Sequence, residues 1–138
     1  MLRSRIHRAG AGDPGCFNFN PSTSKSLSFT KLQADQSPVV LVNIFQVSEA
    51  DIPSLLKAWA EDASWMKRQP GFISTQLHQG IAGSTVLMNY AVWESVAHFR
   101  AAFNHPEFKQ SLEQYPSSAV AAPHLFTRLS VANLCVGP

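Results

Sequence analysis

Two strand-length runs in this chain, VVLVNIFQV at Val39–Val47 and VLMNYAVWE at Val86–Glu94, are apolar on both faces. Side chains alternate along a strand, so Val39, Leu41, Phe45 and Val47 leave one side of the first run while Val40, Val42 and Ile44 leave the other. In the second run Leu87 and Ala91 oppose Met88 and Val92. An antiparallel sheet with one wet face would alternate apolar and polar residues. Both faces of this sheet are therefore expected to be covered. Helices of the same chain can cover one, and a second copy of the sheet is the economical cover for the other, which predicts a homodimer with a shared barrel-like core.

The remaining elements follow from periodicity and punctuation. Ser48 and Asp51 form a capping pair with Pro53 in the first turn, and Ile52, Leu55, Leu56, Trp59, Ala63 and Met66 recur at helical spacing. Lys67, Arg68 and Pro70-Gly71 close that helix. FISTQLHQG, Phe72–Gly80, reads as a second strand, and IAGST turns the chain into the third at Val86. Ser95 caps a helix whose inward residues are Val96, Phe99 and Phe103; Pro106 opens a short one running through Phe108 and Leu112 to Pro116. After SSAVAAP, read as a loop, HLFTRLSV supplies a last strand. The order β-α-β-β-α-β is the ferredoxin-like arrangement of an α+β protein: a four-stranded antiparallel sheet with helices on one face.

At 138 residues the chain is one domain by length, read as a flexible N-terminal extension at 1–37, the α+β domain at 38–131 and a C-terminal tail at 132–138. MLRSRIHRAG and the Ser-, Asn-, Gly- and Pro-rich stretch after it suit a floppy extension better than an import signal, though SLSFTKL, Ser26–Leu32, has the makings of an added strand. A formal charge of +2, with no clustered basic face, argues against nucleic acid, and no apolar run is long enough to span a membrane. Cys16 and Cys135 form neither a disulfide framework nor a metal set, which suits a reducing, cytoplasmic setting.

The chemistry is concentrated in NYAVWES, residues 89–95. Asn89, Ala91 and Trp93 leave one face of the strand and Tyr90 and Val92 the other, so two hydrogen-bond donors share an otherwise apolar surface. Tyr90 is left for the dimer side. Asn43 poses the same puzzle in the first strand, since asparagine is disfavoured in an apolar run. The structural alternative for each is a satisfied buried amide or a core tryptophan bonded to backbone.

VVLVNIFQV, the helix ending RQPGFISTQLH, and STVLMNYAVWESVAHF together resemble the antibiotic biosynthesis monooxygenase family of small dimeric α+β barrels, over residues 38–131. Within it the chain is most similar to cofactor-free enzymes that oxidise anthrone-type polyketide intermediates to quinones. The resemblance implies that Asn89 and Trp93 hold the substrate's carbonyl oxygens while an activated, electron-rich substrate reacts directly with dioxygen, with no metal or other cofactor. Those enzymes carry a tyrosine where this chain has Phe99, and an arginine on the following helix, where Lys109 and Gln110 are the nearest polar residues here. Relatives that degrade haem use a first-strand asparagine but add a tryptophan and a histidine where Ala102 and Leu112 stand.

Asn89, Trp93 and Asn43 are thus the candidate catalytic residues. Trp65, Phe99, Phe103, His78 and His98 are candidates to bind a small aromatic substrate, the two histidines also as general bases. His105 reads as a cap, His124 as the start of the last strand and Trp59 as core. Two other functions fit the same scaffold: a non-catalytic or stress-response protein that binds a small aromatic ligand, and a cyclase or isomerase working without dioxygen.

Overall fold

The computed structural model describes residues 37–137. Expectations for residues 1–36, including the added strand at Ser26–Leu32, lie outside them. Four strands, β1 (Val39–Gln46), β2 (Phe72–Gln79), β3 (Val86–Trp93) and β4 (Val120–Phe126), form one antiparallel sheet in the order β2-β3-β1-β4. Helices α1 (Ile52–Met66), α2 (Val96–Phe103) and α3 (Pro106–Ser111) lie between them in the chain, with short 3-10 turns at Glu49–Asp51 and Leu112–Gln114. The fold is the ferredoxin-like α+β arrangement that the element order predicts.

The two apolar runs became the central strands. Leu41 stands opposite Ala91, Asn43 opposite Asn89 and Phe45 opposite Leu87, all on the face that carries the core. There Val39, Leu41, Ala91, Trp93, Phe99 and Ala102 form one buried cluster, and Phe45, Val47, Leu55, Leu87 and Ala119 a second. On the other face Ile44, Tyr90 and Phe126 remain 38–48% exposed.

The last strand differs from expectation. It begins at Val120, inside the segment read as a loop, and ends at Phe126; beyond it the described residues contain only an isolated bridge between Val131 and Cys135. Alanine and proline have low strand propensity, so AVAAP carries little local signal, yet pairing with β1 overrides it. Pro123 faces Asn43 in that ladder and is accommodated because β4 is an edge strand of the sheet among the described residues.

Helix α1 also differs in detail. Leu55, Ala58 and Asp62 are its buried residues, while Leu56 is 42% exposed, so the inward stripe runs one position away from Leu56 and takes in an acid. The Ser48 and Asp51 pair forms between side chains: Ser48 Oγ donates to Asp51 Oδ2 at 3.0 Å and Ser118 Oγ to the same oxygen at 2.7 Å. These bonds tie the start of the helix to the approach to β4, and hold the Asp51 carboxyl below its usual range, Ser118 contributing most. Ser95 caps α2 as expected, its side chain accepting from the His98 backbone N–H at 3.1 Å.

Candidate active site

Between the core face of the sheet and the three helices lies a cavity of about 110 Å³, lined by residues of both buried clusters. One wall is aromatic. Phe72 meets Trp93 edge-on at 5.4 Å, Trp93 meets Phe99 at 5.9 Å, Phe99 stacks on Phe103 at 5.2 Å, and Phe103 leans on Phe108 at 4.9 Å. Such edge-to-face and offset contacts fix ring positions as well as bury area. Trp93 is 1% exposed and its indole nitrogen makes no hydrogen bond among the described residues.

Asn89 is oriented by a neighbouring strand. Thr75 Oγ1 donates to Asn89 Oδ1 at 2.6 Å across the diagonal of the β2–β3 ladder, in which Thr75 itself pairs with Ala91. With its oxygen engaged, the amide presents its nitrogen as donor, and that nitrogen has no hydrogen-bond partner among the described residues. Asn43 lines the cavity from β1, and its Oδ1 is buried without a partner.

A carboxyl completes the lining. Asp62, 6% exposed, enters from α1; Ser111 Oγ bonds its Oδ1, while Oδ2 makes no hydrogen bond. Burial pushes its pKa above the ordinary carboxylate range, with Ser111 and then the nearby Tyr115 hydroxyl opposing and the Glu61 charge adding a little. Tyr115, which stacks on Phe45 at 6.0 Å, has its own pKa driven far up by burial and then by the Asp62 charge, so its phenol keeps its proton.

Of the residues singled out in the sequence, Asn43, Asn89, Trp93, Phe99 and Phe103 line this cavity. Trp65, His78 and His98 do not. The Trp65 indole N–H donates to Glu107 Oε2 at 2.8 Å and its ring packs on His105 at 5.0 Å, which turns it away from the cavity. His78 is exposed beside Met88, on the opposite face of the sheet. His98 Nδ1 lies 2.7 Å from Ser95 Oγ, and its ring fills the space beside Gly71, where a Cβ would collide with it.

Sequence reasoning missed Asp62, Thr75 and Tyr115. A signal for Asp62 existed, since 55, 59, 62 and 66 keep the spacing of one helical face and put an acid on an apolar stripe. Thr75 needed the strand register, and Tyr115 the position of a turn after α3. Among the described residues no three His, Cys, Asp or Glu side chains are grouped to hold a metal ion, and no helix is long and apolar enough to cross a membrane.

The sequence profile of the antibiotic biosynthesis monooxygenase family matches residues 38–114, more than half of the chain. The chain belongs to that family. Among solved structures, SnoaB, a cofactor-independent oxygenase from Streptomyces nogalater, is 26% identical with a TM-score of 0.62, over 70% of this chain and 98% of its own. A candidate monooxygenase from Shewanella loihica PV-4 is 32% identical, with a TM-score of 0.58, over 69% of this chain and 97% of its own. Rv0793 from Mycobacterium tuberculosis, at 16% identity, shares the fold with a TM-score of 0.58 over 70% of this chain and all of its own. Among curated proteins the chain has no significant sequence match. As a member of the antibiotic biosynthesis monooxygenase family, the chain keeps its cavity lining mainly within the matched segment; Tyr115, Ala119, Ala121 and Pro123 follow it.

Proposed function

We propose that the protein is a cofactor-independent monooxygenase that oxidises a small aromatic substrate of the anthrone, hydroquinone or polyketide-like kind with dioxygen, and that it works as a homodimer. The observation that carries this reading is the Asn89 amide, turned by Thr75 so that its N–H groups have no partner among the described residues and face an aromatic-walled cavity that Trp93 also lines. Donors fixed in an apolar site stabilise negative charge developing on a bound oxygen more than they would in water. The likeness to SnoaB supports a reaction without a cofactor.

An anthrone-type substrate that loses a proton becomes an enolate whose charge is shared between its oxygen and its ring carbon. Asn89 and Trp93 would hold the oxygen while aromatic walls orient the ring and exclude water. The electron-rich carbon then passes electrons to dioxygen and bonds to it. The resulting hydroperoxide loses water to leave a carbonyl, so one oxygen atom ends in the quinone and the other in water. The open apolar face of Ile44, Tyr90 and Phe126 supports dimerisation by sheet-to-sheet contact. The exposed free thiol of Cys135 accords with a reducing, cytoplasmic setting.

Oxygen uptake by metal-stripped protein, measured over a panel of anthrones and hydroquinones, tests the reading. Quinone formed in step with oxygen consumed is the expected result. Tight binding of these compounds with no oxygen uptake would instead make the protein a binding module.

A further inference from the structure

Asp62 puts an acid into the wall of an aromatic cavity, at a helix position where an apolar residue would pack without cost. Its surroundings are suited to a proton that comes and goes. Ser111 Oγ reaches two acceptors, Asp62 Oδ1 and, at 2.6 Å, the Phe108 carbonyl, yet a serine hydroxyl has one proton and two lone pairs. When Asp62 is a carboxylate, Ser111 aims its proton at Oδ1. When Asp62 is protonated on Oδ2, Oδ1 still accepts the Ser111 proton, which can also turn to the Phe108 carbonyl, itself an acceptor of the Leu112 backbone N–H. One serine hydroxyl thus serves either state without moving a heavy atom.

The second carboxyl oxygen, Oδ2, has no partner at hydrogen-bond geometry, although the Tyr115 hydroxyl is near enough to favour the carboxylate, and Asn43 Oδ1 on the same cavity has none either. Two unanswered acceptors in one lining call for a ligand that brings hydroxyl protons. The groups acting on Asp62 are Ser111, Tyr115 and Glu61; Tyr115 holds its own proton too firmly to compete for the role.

We propose that Asp62 is the proton acceptor of this site, taking through Oδ2 the hydroxyl proton of a phenol- or hydroquinone-type ring held in the cavity. The substrate O–H bond breaks, its electron pair stays on the ring oxygen as phenolate, and the proton forms a new O–H bond at Oδ2. This rests on the aromatic-substrate reading above and adds where the proton goes. Burial raises the basicity of the carboxylate, which narrows the gap to a phenol.

The probe is 4-nitrophenol, whose phenolate absorbs visible light that the neutral phenol does not. Bound to the wild-type protein at a pH where the free probe is mostly neutral, it should show the phenolate band. In Asp62→Asn, which keeps the shape and can still accept from Ser111 through its amide oxygen, the phenolate fraction should fall at least about tenfold. Asp62→Ala should lose the band and regain it on adding formate, which a purely structural role would not produce. Neutral probe in the wild-type complex, equal ionisation in Asp62→Asn, or no binding of the probe overturns the proposal. Since the readout involves no oxygen chemistry, a protein that ionises the probe but consumes no oxygen would sink the monooxygenase reading and leave the proton acceptor in place.

Discussion

Asn43 and Asn89 face each other across β1 and β3, both against the cavity, and their carbonyl oxygens differ: Thr75 donates to that of Asn89, while that of Asn43 is buried without a donor. One amide is thereby fixed as a donor toward the cavity. The other is left as an acceptor. An unsatisfied buried polar group costs about 1–3 kcal/mol, so Asn43→Val is expected to raise stability in urea melts by about 1 kcal/mol while slowing substrate oxidation at least about tenfold. Lower stability with full activity would make Asn43 a structural amide.

Removing a donor should lower the rate without the gain in stability. Losing one preorganised donor typically lowers the rate on the order of 10²- to 10³-fold. Trp93→Phe and Asn89→Ala are each expected to cost at least about tenfold in kcat, with melting curves little changed. Thr75→Val frees the Asn89 amide to rotate and should give a smaller fall in kcat. Oxygen uptake and thermal melts on the same preparations check all three, and normal turnover in the first two would remove them from the site.

The raised pKa of Asp62 links stability to pH. A group whose neutral form is favoured by folding contributes stability that is full below its unfolded pKa, about 3.9 for an aspartate, and is lost as pH rises through the folded value. Asp62→Asn cannot ionise. It should therefore gain on the wild type as pH rises through that window, by about 1.4 kcal/mol per unit of elevation. Urea unfolding across a pH series measures this, and a difference that does not vary with pH would contradict it.

The open sheet face leads to a statement about mass. Light scattering at micromolar concentration should give twice the protomer mass, and Ile44→Lys, placing a charge at the centre of that face, should give a monomer. A dimer that survives this change would locate the interface elsewhere.

The fold was legible where each residue's own preference agreed with its final place. The β-branched runs became β1 and β3, and the two-residue repeat put Asn89 and Trp93 on one face, which in the structure lines the cavity. Legibility failed where long-range pairing decided. Ala121 and Pro123 are weak strand formers held by β1, and Asp62 meets Ser111 across 49 residues, so neither place is written in its local neighbourhood. The histidines misled for a related reason: chemical aptitude says nothing about direction, and His78 and His98 are committed by the strand face and the helix cap.

Pro123 has a bearing on how copies of this chain can meet. The Val47 backbone N–H bonds the Thr85 carbonyl, so in β1 the odd-numbered residues bond toward β3, and the Asn43–Pro123 pair exchanges no hydrogen bonds. The Pro123 nitrogen thus faces the outer rim of the sheet, where another residue would offer an N–H. At the opposite rim, β2 is irregular between Phe72 and Ser74. Among the described residues, then, neither border of the sheet is a clean template for an incoming strand, which discourages fibre-like growth by edge-to-edge pairing.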